Sequence, residues 1–274
     1  TSIGQSAFYR CENLKSISIP NSVTSIGSYA FSNCANLTSV SIPNNITGIE
    51  EGTFFGCSSL ASIIIPKDVT YIGNDAFYGC RNLTSIVWDA KNCSAYKFGG
   101  QLESVVFGNE VENIPNSLCE GKTNITSIVV PNSVISIGEN AFIRCSNLQT
   151  LTLGENITTY GSSAFSGCSS LTSIYNYRRT PVALNANVFK DVDYFACTLY
   201  VLESSVDMYK SDRSSWKDFF YNIEPISATS TTTGNDIQVT PTDNTANIVW
   251  PQVNGAETYE LVIKDKSGNV ICTL

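Results

Sequence analysis

The sequence predicts a right-handed repeat solenoid, with a parallel β-sheet of short strands on its concave face and turns or 3₁₀ and single helical turns on the other side. A small partial β-sandwich-like segment follows it. Three observations carry the prediction. Apolar residues recur every 23 positions, each unit holds one short alternating strand, and Pro, often followed by Asn, closes that strand.

The period is read from four columns. Ile3, Ile26, Ile49 and Ile72 are 23 residues apart, and so are Phe8, Phe31, Phe54 and Phe77. Cys11, Cys34, Cys57 and Cys80 keep the same step, as do Leu14, Leu37, Leu60 and Leu83. From Leu83 to Leu102 the interval falls to 19, so one coil near 84–101 is shortened and Asp89 to Gly100 absorbs the deletion. The period then resumes through Ile114, Ile137 and Tyr160. Eight strands are expected, centred on Ile17, Val40, Ile63, Ile86, Val105, Ile128, Leu151 and Ile174.

Each element of the unit has a physical reason. In Leu14-x-x-Ile17-x-Ile19 the alternation places Ile17 and Ile19 on one face of a strand. Pro20, Pro43, Pro66 and Pro131 end their strands, because Pro has no N–H to extend a ladder. A second extended piece, Val23 to Ile26, leads through Gly27 to Ala30-Phe31-x-x-Cys34, a 3₁₀ or single helical turn. One coil buries too little to stand alone, so coils must stack, with strands pairing in parallel about 4.8 Å apart. Phe8, Phe31, Phe54 and Phe77 should then form an internal aromatic column.

Composition narrows function by exclusion. The 274 residues are 42% hydrophobic and 15% charged, with net charge −8. No run of 18 apolar residues could span a bilayer, so no membrane insertion is expected, and no Lys/Arg cluster beyond Arg178-Arg179 could serve nucleic acid. The chain has no His, which removes the commonest general base and metal ligand together. No catalytic, cofactor-binding or metal-binding residue is expected. The paired carboxylates Glu50-Glu51 and Glu110 with Glu112 read as solubilising charges. Cys11, Cys34, Cys57, Cys80, Cys119, Cys145 and Cys168 follow the repeat; they read as buried free thiols ahead of a disulfide ladder or a metal site, there being no C-x-x-C pair. Asn13, Asn36, Asn82, Asn124 and Asn147 precede the strands and read as a scaffold ladder.

The outward strand positions are the candidate protein-binding surface. They comprise Ser62, Ser85, Ser104, Ser127 and Thr150 in one column and Ile64, Val87, Val106, Val129, Thr152 and Tyr175 in the other. Small and branched residues also suit a crowded strand surface for structural reasons alone. The apolar middle of the strip, bordered by hydroxyls, nonetheless matches the build of a docking surface. Trp88, Tyr96 and Phe98, in and beside the shortened coil, are the other candidates, since irregular aromatic loops on rigid scaffolds often carry recognition.

Read as Leu-x-x-Ile-x-Ile-Pro-x-x-Val-x-x-Ile-Gly-x-x-Ala-Phe-x-x-Cys over Leu37 to Cys57 and Leu60 to Cys80, the unit resembles the BspA-like class of bacterial leucine-rich repeats. The resemblance covers about residues 1–176, a leucine-rich-repeat solenoid, and departs at Glu50, Thr53, Cys119, Lys122 and the deletion. It implies a surface-exposed or secreted protein that adheres to host extracellular-matrix proteins or other cells, with no catalytic residues to carry over. Thr1-Ser2-Ile3-Gly4 reads as the middle of a repeat, so any export signal is expected upstream.

After Ile174 the period fades. Residues 177–226 read as a C-terminal cap, with a strand at Cys197 to Val201, a short helix at Ser204 to Lys210 and a closing turn at Ser215 to Phe219. Tyr200, Val206, Tyr209, Trp216 and Phe219 should form its lid over the solenoid end. Residues 227–234 read as a linker. Residues 235–274 resemble part of a fibronectin type III domain around Trp250 to Tyr259, and the β segment is expected to continue past Leu274 or lean on another surface. The leading function is adhesion or protein binding; the alternatives are carbohydrate binding or a structural spacer, with an enzyme last.

Overall fold

The computed structural model describes residues 1–95 and 98–226 in full and, after them, the backbone of strands Gln238–Thr242, Thr245–Val249, Val262–Lys264 and Val270–Thr273. Contacts divide the chain into two units, Thr1–Thr233 and Gly234–Leu274.

The first unit is a parallel β-solenoid. The eight anticipated strands are present, from Ser16–Ser18 through Ser62–Ile65, Ser85–Trp88, Ser104–Phe107 and Ser127–Val130 to Ser173–Asn176. They pair in parallel and in register in three groups, Ile17 with Val40, then Ile63 with Ile86 and Ile86 with Val105, then Ile128 with Leu151 and Leu151 with Ile174, with no ladder between the groups. The sheet does not end there. Thr198–Val201 pairs with Ser173–Asn176, and Asn222–Pro225 pairs with Thr198–Val201, so two more strands join the same parallel sheet. Two-residue strands such as Ser25–Ile26, Tyr71–Ile72 and Ser136–Ile137 form a second ladder across each coil.

Between the ladders runs the aromatic column. Phe8, Phe31, Phe54, Phe77 and Phe98 stack at centroid distances of 5.1, 5.6, 5.4 and 4.7 Å, and the column resumes with Phe142, Phe165 and Phe189 at 5.3 Å steps. Around Phe8, Phe31, Phe54, Phe77, Phe142 and Phe165 the residues two before and two after take left-handed backbone, for example Asp75 and Gly79 around Phe77. The two tight bends this allows explain why Gly or Asn recurs after the Phe, as at Asn33, Gly56 and Gly79. The Gly after Ile26, Ile72 and Ile137 answers to a different need: a Cβ on Gly73 would lie 2.5 Å from the Glu51 nitrogen of the preceding coil.

Coils are also knitted by side chains reaching back one turn. Thr38 and Thr172 hydroxyls donate to the carbonyls of Lys15 and Gln149 at 3.0 and 3.3 Å, and the Asn36 amide donates to Glu12 O at 2.7 Å. Buried thiols do the same. Cys34, Cys57 and Cys80 donate to the carbonyls of Phe8, Phe31 and Phe54 at 3.1 to 3.2 Å. Cys11 is exposed and the other described cysteines are buried. Burial pushes the thiols of Cys80, Cys93, Cys145 and Cys197 up to about 12.

At the far end Tyr209, Trp216, Phe219 and Phe220 are buried, and all but Tyr209 pack directly on Phe189. Tyr200, read from sequence as part of this lid, sits instead on the solvent face of the sheet, in register with Tyr175. In the second unit, Gln238–Thr242 pairs antiparallel with Thr245–Val249, and Val262–Lys264 with Val270–Thr273. The linker at 227–234 and the Trp250 to Tyr259 run lie outside the described residues.

Candidate protein-binding face

The sheet presents one face to the core and one to solvent, and period-two alternation decides which side chain goes where. Ser62, Ser85, Ser104, Ser127 and Thr150 form one outward column, extended by Ser173 and Thr198. Ser85 and Ser104 hydroxyls approach to 3.4 Å across the ladder. The second column runs Ile64, Val87, Val106, Val129, Thr152, Tyr175 and Tyr200.

Exposure along that second column is uneven. Ile64 is 39% exposed, Val129, Tyr175 and Tyr200 are half-buried, but Val87, Val106 and Thr152 keep only 7%, 5% and 6%. In-register branched side chains about 4.8 Å apart shield one another. The anticipated apolar centre of the strip is therefore mostly covered at Val87 and Val106, and its accessible apolar groups are Ile64, Val129 and the tyrosines. Tyr175 and Tyr200 stack at 4.8 Å with planes 12° apart. No outward residue on the strands from Ser16 to Tyr200 is charged; Glu224 is the first.

Of the aromatic residues assigned to the shortened coil, Trp88 and Phe98 do not line a surface. Trp88 follows Val87 in the strand and so points inward, where it is fully buried, and Phe98 is buried as a member of the aromatic column. Trp88 meets Phe98 edge-on at 5.9 Å. Tyr96 lies outside the described residues. The alternation Ile86 inward, Val87 outward, Trp88 inward was a signal for the first of these placements.

The carboxylate pairs serve as tyrosine and lysine partners. Tyr29 OH donates to Glu51 Oε1 at 2.6 Å and Tyr71 OH to Glu50 Oε1; that bond to Glu50 pushes the Tyr71 hydroxyl up to about 12. Glu112 pairs with Lys91 at 3.0 Å and accepts from Asn92 at 3.0 Å. Among the described residues no group of three His, Cys, Asp or Glu could hold a metal, and no helix is long and apolar enough to cross a membrane.

The model of the BspA type leucine rich repeat region, in six copies, matches residues 1–98 and 92–194. The chain belongs to that family. The match extends beyond residue 176, consistent with the sheet's continuation. No curated protein sequence matches the chain. Among solved structures, a leucine-rich repeat protein from Bacteroides ovatus is 24% identical, covering 83% of this chain and 67% of that one, with TM-score 0.40. The Treponema pallidum leucine rich repeat protein is 28% identical over 62% of this chain and 71% of its own, with TM-score 0.41. A leucine rich cell surface protein from Faecalibacterium prausnitzii is 27% identical over 83% of this chain and 64% of its own, with TM-score 0.37.

Proposed function

We propose that this BspA-type repeat chain is a non-catalytic binding protein, displayed on a cell surface or secreted, that engages a protein partner through the solvent face of its sheet. The observation that carries the reading is the strip itself. Across nine strands of a chain with net charge −8, every outward side chain is uncharged, and accessible apolar groups at Ile64, Val129, Tyr175 and Tyr200 stand among hydroxyls. Uncharged, partly apolar centres with polar borders are what protein interfaces require. Family membership supports the same reading, since leucine-rich repeats generally bind proteins. The partner class that the family implies is a host extracellular-matrix or other surface protein.

The stacked pair Tyr175–Tyr200 favours a second reading, carbohydrate binding, because sugar rings pack on aromatic side chains flanked by hydroxyls. Immobilised extracellular-matrix proteins and a glycan array, probed with the same labelled chain, separate the two. Saturable binding to a matrix protein with a blank glycan array supports protein recognition. Glycan binding that is lost in Tyr200→Ala, with no matrix protein bound, replaces it with the second reading.

A further inference from the structure

The shortened coil joins its two neighbours by different means. Toward the N-terminus the joint is regular: Ser85–Trp88 pairs with Ser104–Phe107 over four residues, Phe98 stacks on Phe77, and Tyr71 bridges Ser94. Toward the C-terminus three regular connections are replaced. Ser104–Phe107 forms no ladder with Ser127–Val130. Cys119 stands where a Phe would continue the column, which restarts at Phe142, with Phe107 meeting Phe142 edge-on at 6.4 Å. Lys122 occupies the place of the thiol that elsewhere donates to the preceding coil.

A second gap in the sheet, between Ser39–Ser41 and Ser62–Ile65, lacks this character. There the Phe31–Phe54 stack is continuous, Phe31 N donates to Thr53 O at 2.9 Å, and Cys57 reaches Phe31 O. At the joint after the shortened coil the bonding is polar. Lys122 Nζ donates to Phe98 O at 2.7 Å, Gly99 O at 3.1 Å and Gly100 O at 3.0 Å. Only the second ladder carries on regularly across this joint: Asn92 bridges Asn113, and Glu112 N and Asn113 N donate to Lys91 O as Ile135 N and Ser136 N do to Glu112 O.

Three carbonyls converge because the deletion forces the chain tight. Gly99 runs so close to the preceding coil that a Cβ on it would fall 2.0 Å from Phe77 O, while Gly100, at φ +73°, keeps the left-handed backbone found two residues after Phe54 and Phe77. Carbonyls turned inward need donors, and one thiol could serve only one of them. An ammonium has three N–H bonds for three acceptors, and those bonds offset the cost of burying its charge.

We infer that the carbonyls of Phe98, Gly99 and Gly100 form a cation nest whose resident is the Lys122 ammonium, and that this internal cation latches a joint where the solenoid opens into two blocks, 1–107 and 108–226. Val106 and Val129 stand on opposite sides of the joint. A partner lying across the sheet would therefore favour the latched state; this consequence alone rests on the function proposed above.

Hydrogen exchange read by mass spectrometry on the full chain tests the latch. In the unaltered protein, amides of 101–107 and 119–130 should exchange together and faster than those of 150–176. Lys122→Ala should speed the first group by about tenfold or more and leave 150–176 unchanged. Methylammonium chloride should restore protection, whereas tetramethylammonium at equal ionic strength, lacking N–H donors, should not. Unchanged exchange in Lys122→Ala, a uniform rise over 1–226, or equal rescue by both salts would overturn the inference. Lys122→Met, which keeps the stem and removes the donors, is read the same way if the alanine variant does not fold. If neither folds, the unaltered protein decides: exchange at the joint no faster than within the blocks rejects it.

Discussion

Replacing Phe54 by Ala is the sharpest perturbation of the aromatic column. The ring is fully buried and stacks on Phe31 at 5.6 Å and on Phe77 at 5.4 Å. Truncating a buried Phe costs about 3–5 kcal/mol, and each aromatic pair adds about 0.5–1.5 kcal/mol beyond burial, so loss of two neighbours places Phe54→Ala near the top of that range. Phe142 offers an internal comparison. It stacks on Phe165 at 5.3 Å, but its other aromatic neighbour is Phe107 at 6.4 Å and edge-on, so Phe142→Ala should cost less, about 3 kcal/mol. Urea denaturation followed by far-ultraviolet circular dichroism reads both. With an m-value of about 2 kcal/mol/M, the Phe54 variant should lose about 2 M in midpoint. Because each coil touches only its neighbours, protection should fall in the coils on both sides of Phe54 and little beyond them. A midpoint within experimental scatter of the unaltered protein, or a larger loss in Phe142→Ala, would refute stacking as the main source of stability.

Further outcomes follow from single contacts. Gly161→Ala should cost about 1–3 kcal/mol in a thermal melt, since its Cβ would lie 2.3 Å from Glu139 N, while Gly4→Ala, with open space around it, should cost far less. Buried thiols whose folded values rise to about 12 contribute stability that is complete below their ordinary value of 9.0 and is lost as pH climbs toward 12; melting temperature should fall steeply over that window, and thiol reagents at pH 8 should label Cys11 long before Cys80 or Cys145. The Glu112 carboxyl is held below its ordinary value of 4.5 by bonds from Lys91 and Asn92, so its contribution is present above that pH and disappears as pH falls beneath it. Being exposed, that contribution should also shrink with added salt; an acid limb insensitive to Glu112→Gln would contradict the assignment.

What was legible in the sequence was whatever the 23-residue period repeats. Phe8 through Phe77 announced their column by spacing alone, and the strands around Ile63 and Leu151 lay where alternation placed them. Where the period breaks, composition misled. Phe98 lies 21 residues after Phe77, and its aromatic neighbourhood read as a loop surface, although Gly100 two residues on repeats the left-handed position that follows Phe54 and Phe77. Tyr200 was hidden in the same way, because Ile174 to Leu199 spans 25 residues and no Leu-x-x precedes the strand. The covering of Val87 and Val106 is set by neighbours on adjacent coils, which one strand's pattern does not report. Lys122 was visible as a departure from the Cys column, but its purpose emerges only once three carbonyls are seen to meet at one point.

The claim that the sheet's solvent face is the binding surface is tested most directly by placing charge on it without disturbing the core. Ile64→Asp and Tyr200→Asp alter the accessible outward positions, whereas Ile135→Asp places the same charge on an exposed residue away from that face. Biolayer interferometry against the matrix protein bound most tightly by the unaltered chain should show at least about a tenfold loss for each of the first two and none for the third, with melting temperatures unchanged. Equal binding by all four proteins would contradict a role for the sheet face.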